Sequence, residues 1–120
     1  MERVLLIDDE RDALEVLEWV LKDCGCEVRA ETEAPKALEL GRSFKPTVLV
    51  TDYFLRDDLS GLDIVRLLRE QDPNLRAVLM TGMMVEDLKG ELEALGNVDV
   101  VRKPFDSAQL VSRLDLAATH

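Results

Sequence analysis

Val48-Leu49-Val50-Thr51-Asp52 is the stretch whose reading decides the fold. A β-branched apolar run that follows Pro46 and stops at an acid reads as a buried central strand, leaving Asp52 where strand gives way to loop. Working outward, the pattern recurs. Val4-Leu5-Leu6-Ile7 ends in Asp8-Asp9, Ala77-Val78-Leu79-Met80 ends in Thr81, and Val98-Asp99-Val100-Val101 ends in Arg102-Lys103-Pro104. If these strands are parallel neighbours, three carboxylates, one hydroxyl and one ammonium meet at the carboxyl edge, where open α/β sheets bind their ligands.

Between the strands the apolar period becomes helical. Arg11 to Cys24 carries Ala13, Leu14, Leu17, Val20 and Leu21 at helical spacing, with Gly25 as a stop and Trp19 expected as a partly covered edge residue. Cys26 to Glu31 reads as a short second strand. Pro35 sits in the first turn of a helix holding Ala37, Leu38 and Phe44, which Gly41 is expected to end early. Leu62 to Glu70 forms a third helix with Leu62, Val65 and Leu68 inward, and Asp72-Pro73-Asn74 supplies the turn before the fourth strand. Val85, Leu88, Leu92 and Leu95 mark a fourth helix, which Gly90 weakens by roughly 1 kcal/mol relative to Ala and which is expected to be the least rigid. Asp106 or Ser107 caps a last helix with Leu110, Val111, Leu114 and Ala117. Five βα units without a linker or repeat imply one domain over 1–120, built on a parallel sheet covered on both faces.

Charge and motifs narrow the function. A formal charge of −10 opposes non-specific nucleic-acid binding, which depends on Lys and Arg neutralising phosphates, and opposes an anionic membrane surface as well. No apolar stretch approaches the ~20 residues of a membrane span, and Met1-Glu2-Arg3 leads straight into a strand, so a cytoplasmic location is expected. Cys24 and Cys26 read as one thiol on a helix and one on a strand, and His120 as the only histidine leaves a zinc site short of ligands. The glycine-rich nucleotide cradles and the G-x-S-x-G elbow of serine hydrolases are absent.

The acidic cluster remains. Asp8, Asp9 and Asp52 in one pocket would repel one another unless a cation entered, and hard oxygen ligands with positions left for water suit Mg2+. A carboxylate beside that ion can attack a phosphoryl group to give an aspartyl phosphate. Such transfer needs charge neutralisation and positioning, which Lys103 and the Thr81 hydroxyl can help supply. Singly, Asp8-Asp9 reads as a helix cap, Thr81 as a turn residue and Lys103 as a solvated charge. Jointly, at the ends of four strands, they are hard to obtain by chance.

Val4-Leu5-Leu6-Ile7-Asp8-Asp9-Glu10, Asp52, Leu79-Met80-Thr81-Gly82 and Lys103-Pro104-Phe105 together resemble the receiver domains of two-component response regulators, over essentially the whole chain. The resemblance implies a flavodoxin-like, doubly wound, five-stranded parallel sheet of order 2-1-3-4-5 with five helices. It makes Asp52 the phosphoacceptor, Asp9 and Asp52 direct Mg2+ ligands, Asp8 a ligand through water, and the Phe54 backbone carbonyl the protein's remaining contribution. Lys103 would pair with phosphoryl oxygens, with a cis bond to Pro104, and Thr81 would move toward the phosphoryl group. A histidine kinase or histidine phosphotransfer protein would deliver phosphate, docking on the first helix near Leu14 and Leu17. The surface of helix 4, strand 5 and helix 5 would then control a downstream protein, a covalently linked output domain or a homodimer. Such a protein is a signalling switch rather than an enzyme, and neither direct nucleic-acid binding nor a membrane is implied.

Three departures from the family pattern stand out. Arg56 stands four residues after Asp52, where Pro is usual, and Gly61 lies nine on rather than eight, implying a longer rim. Val100 replaces the aromatic expected three positions before Lys103, and a short β-branched side chain has little to swing. Phe54 and Met83 are bulky where the family varies, and are expected to hinder the water that hydrolyses the acyl phosphate. Two other readings stay open. A phosphorylation-independent interaction module would suit Val100 and the altered loop. A Mg2+-dependent phosphatase with a nucleophilic aspartate would want a second Asp where Phe54 stands.

Overall fold

The computed structural model describes residues 2–56 and 58–114. Five βα units follow in order: β1 Arg3–Ile7, α1 Arg11–Asp23, β2 Glu27–Glu31, α2 Ala34–Phe44, β3 Val48–Asp52, α3 Gly61–Arg69, β4 Arg76–Thr81, α4 Val85–Leu95, β5 Val98–Arg102 and α5 Ser107–Leu114. All strand pairings are parallel and the sheet order is β2-β1-β3-β4-β5. This is the doubly wound flavodoxin-like arrangement expected from the sequence. Ala117 lies outside the described residues.

Even in strands buried on both sides, the two-residue period sorts side chains between two cores. Val4, Leu6, Val50, Val78 and Met80 face α1 and α5, meeting Leu14, Leu17, Leu21, Leu110 and Leu114. Leu5, Ile7, Leu49 and Ala77 face the other way, against Ala37, Phe44, Ile64, Val65 and Leu68 of α2 and α3. A smaller cluster of Leu62, Leu79 and Leu88 carries α4, with Tyr53, Met83 and Val100 packed on it. Leu88 is the one residue of α4 that is fully buried, so little apolar area ties this helix down.

Two expectations are corrected. Trp19 is 70% exposed rather than partly covered. At 3.6 residues per turn it lies about 200° from both Leu17 and Leu21, the residues that turn α1 toward the sheet. Gly41 does not end α2, which continues to Phe44 and stops at Lys45 in the left-handed conformation (φ 54°). The glycine is there for close packing: a Cβ on it would lie 2.9 Å from Leu68 Cδ1 and 3.2 Å from Leu5 Cδ2.

Candidate functional site

The strand register builds the site. Ile7 lies opposite Thr51, so Asp8 and Asp52, one step further on, end level on strands about 4.8 Å apart. Asp52 lies opposite Met80, which sets Thr81 one step beyond it, and Thr81 lies opposite Arg102, which brings Lys103 to the same edge. The Lys103 amide donates to the Thr81 carbonyl at 2.8 Å, and the Lys103–Pro104 peptide is cis. After β3 the Tyr53 amide donates to Met80 O (3.0 Å), and Tyr53 O accepts from the Gly61 amide (2.8 Å). The chain is thereby turned into α3, whose start is fixed by reciprocal hydrogen bonds between Ser60 and Asp63. The turn is so tight that a Cβ on Gly61 would lie 2.0 Å from Asp52 O.

Asp8, Asp9 and Asp52 each bring a carboxylate oxygen within 4.8 Å of the others. Asp8 (1% exposed) and Asp52 (8%) are buried, and Asp9 sits at the rim. Lys103 Nζ stands 3.2 Å from Asp52 Oδ2 and 3.5 Å from Asp8 Oδ2. The Glu10 amide donates to Asp8 Oδ1 at 3.0 Å, whereas Asp8 Oδ2 has no hydrogen-bond partner among the described residues. Burial pushes both carboxyls above their ordinary value, and the lowering effect of Lys103 does not fully offset it. Burial alone would depress the Lys103 ammonium, but the Asp52 and Asp8 charges raise it.

These residues fit a divalent cation. The donors are all oxygen, the negative charge exceeds that of Lys103, and one buried carboxylate oxygen lacks a hydrogen bond. The three carboxylate oxygens lie within 4.8 Å of one another, close enough for the group to serve one small cation directly or through water.

The structure therefore brings together Asp8, Asp9, Asp52, Thr81 and Lys103. Thr81 is buried, and its hydroxyl accepts from the Met83 amide at 3.0 Å. Phe54 follows Asp52 by two residues with its ring 62% exposed and set edge-on to Tyr53. Sequence reasoning did not foresee Arg56 Nε 3.5 Å from Asp9 Oδ2, or the Tyr53 hydroxyl 3.3 Å from Glu91 Oε1 on α4. Arg56 was visible only as the residue standing in place of a proline.

Fold and site together define a doubly wound α/β domain with an acidic pocket at its carboxyl edge. The response regulator receiver domain model matches residues 4–115, and the chain belongs to that family of two-component signalling switches. The probable transcriptional regulatory protein TcrX of Mycobacterium tuberculosis is 36% identical over 92% of this chain and 47% of its own length. The chain thus spans about half of that relative, and 48% of the cell cycle transcriptional regulator CtrA of Caulobacter vibrioides, to which it is 30% identical over 93% of its own length. The chemotaxis protein CheY of Thermotoga maritima is 26% identical over 95% of both chains. Among solved structures, CheY4 of Vibrio cholerae superposes with a TM-score of 0.87 at 24% identity (96% of this chain, 97% of that one). The NtrX receiver domain of Brucella abortus gives 0.83 at 27% identity (97% and 98%). Among the described residues no helix is long and apolar enough to cross a membrane.

Proposed function

We infer that Asp52 accepts a phosphoryl group from the phosphohistidine of a histidine kinase or histidine phosphotransfer protein. The carrying observation is the convergence of Asp52, Asp8 and Lys103 within ion-pair distance at one sheet edge. An Asp52 carboxylate oxygen attacks phosphorus, an O–P bond forms, the P–N bond breaks, and its electron pair leaves with the imidazole. Asp9, Asp52 and the Phe54 carbonyl would hold Mg2+ directly, with Asp8 acting through water. When bound, the ion neutralises the phosphoryl oxygens. Lys103, already facing Asp52, takes one of those oxygens as its new partner.

The added negative charge and acceptor oxygens then act on Thr81. Turning its hydroxyl to the phosphoryl group gives up the bond to the Met83 amide, which loosens the β4–α4 turn. Because α4 is lightly buried, the α4–β5–α5 surface shifts between two populations and selects a downstream protein, a linked output domain or a second copy. Leu14 and Leu17 are largely buried, and the donor's seat beside them on α1 is offered by their exposed neighbours. Ala13, Val16, Pro104 and Phe105 line a cavity of about 580 Å3 that reaches Asp8 and Lys103.

Intact-mass analysis with acetyl phosphate or a cognate kinase and Mg2+ tests the reading. The wild type gains one phosphate and Asp52→Ala none. No gain in the wild type would favour a phosphorylation-independent interaction module, the reading that suits Val100.

A further inference from the structure

We propose that Arg56 is a tethered cation that competes with the divalent metal for Asp9, which makes it a positioning residue that sets how readily the acidic pocket loads. The proposal rests on the metal reading above and deepens it. Lys103 pairs with Asp8 and Asp52, and the third acid of the cluster, Asp9, faces Arg56 instead, with Nε 3.5 Å from Oδ2. A dication held by Asp9 and a guanidinium 3.5 Å from the same carboxylate repel one another, so each weakens the other's hold. Relief comes if one of them moves.

Arg56 is built to be the one that moves. Its side chain is 77% exposed against 24% for Asp9, so it can swing into solvent while Asp9 keeps its place. It also forms one wall of a cavity of about 470 Å3 beside Asp9, with Glu10, Arg11, Thr32 and Glu33 forming the rest. Arg56 thus shares an open cavity with Asp9, the most exposed acid of the cluster. An exposed pair of this kind is weak. It tunes metal affinity without blocking the site, and its effect fades as salt screens it.

Calorimetric titration of the full chain with MgCl2 at low ionic strength tests this. Arg56→Ala is expected to bind Mg2+ about two- to fivefold more tightly than wild type, with the ratio shrinking toward one at high salt. Arg56→Lys is expected to stay near wild type. Arg11→Ala removes an equal charge from the same cavity wall but from a residue that pairs with no acid among the described residues, and is expected to change less. Equal affinities in wild type and Arg56→Ala would overturn the role of Arg56 and leave the metal reading standing. So would an equal gain in Arg11→Ala, which would reduce the effect to overall charge. Absence of binding heat in both wild type and Arg56→Ala would remove the metal reading, and the proposal with it.

Discussion

At the amino edge of the sheet, Arg3 donates to Glu27 Oε1 (2.9 Å), Lys45 O (3.4 Å) and Phe44 O, and its guanidinium lies 4.3 Å from the centre of the Phe44 ring. Arg69 donates to the carbonyls of Leu75, Leu95, Gly96 and Asn97 at 2.9–3.1 Å. Arg76 reaches Glu2 and the carbonyls of Arg113 and Leu114. At the carboxyl edge, three acids share one lysine and one exposed arginine, and a buried carboxylate oxygen has no hydrogen bond. Both edges are charged, with opposite results. Arg69 supplies donors to carbonyls at the end of α4, groups that a helix leaves without internal partners, and Arg76 supplies them to carbonyls of α5. Their charge is consumed in holding the fold. The acids opposite keep an excess that only a further cation can neutralise. A satisfied edge stabilises, and an unsatisfied one is available for chemistry.

The largest test of this contrast falls on the one rigid contact at the acidic edge. Gly61→Ala places a methyl 2.0 Å from Asp52 O and 2.9 Å from Thr51 Oγ1. Neither is the end of a flexible chain. We expect a loss of about 3 kcal/mol in urea unfolding. A loss under about 1 kcal/mol would mean that the β3–α3 turn yields easily and does not fix Asp52.

Arg69→Ala comes next. It strips four carbonyls of a charged donor and is expected to cost about 2 kcal/mol while leaving phosphate uptake by Asp52 intact. Comparable loss of stability and of phosphorylation would erase the division between the edges.

Removing an acid should do the opposite. Burial raises the Asp52 pKa above its ordinary 3.8, so the folded state holds that proton more tightly than the unfolded chain does. This contribution to stability is full below about 3.8 and is lost as pH rises through the folded value. Asp52→Asn should therefore be more stable than wild type at neutral pH without divalent cations, by about 1 kcal/mol. Below pH 3.8 the gain should vanish. Destabilisation at neutral pH would show that Lys103 already balances the cluster.

The smallest effect concerns the rim. Phe54 and Met83 are proposed to shield the acyl phosphate from water, so phosphate loss timed in Phe54→Ala plus Met83→Ala should quicken severalfold. An unchanged lifetime ends the idea.

Much of this was legible in the chain itself. Strand and helix periods, Asp72-Pro73-Asn74 and the strand-terminal acids are local signals, set by residues a few positions apart, and they located all five βα units and the residues that meet at the carboxyl edge. The sequence could not say that Gly41 belongs inside a helix, that Arg69 gathers four carbonyls, or that Arg56 finds Asp9. Each depends on how elements distant in the chain are rotated against one another. That rotation is set by packing of the whole core, and it leaves no trace in the spacing of neighbouring residues. The sequence by itself thus determined the architecture and which acids end the strands at one edge. Only the tertiary structure decided that Arg56 joins Lys103 beside them and which charges the fold consumes.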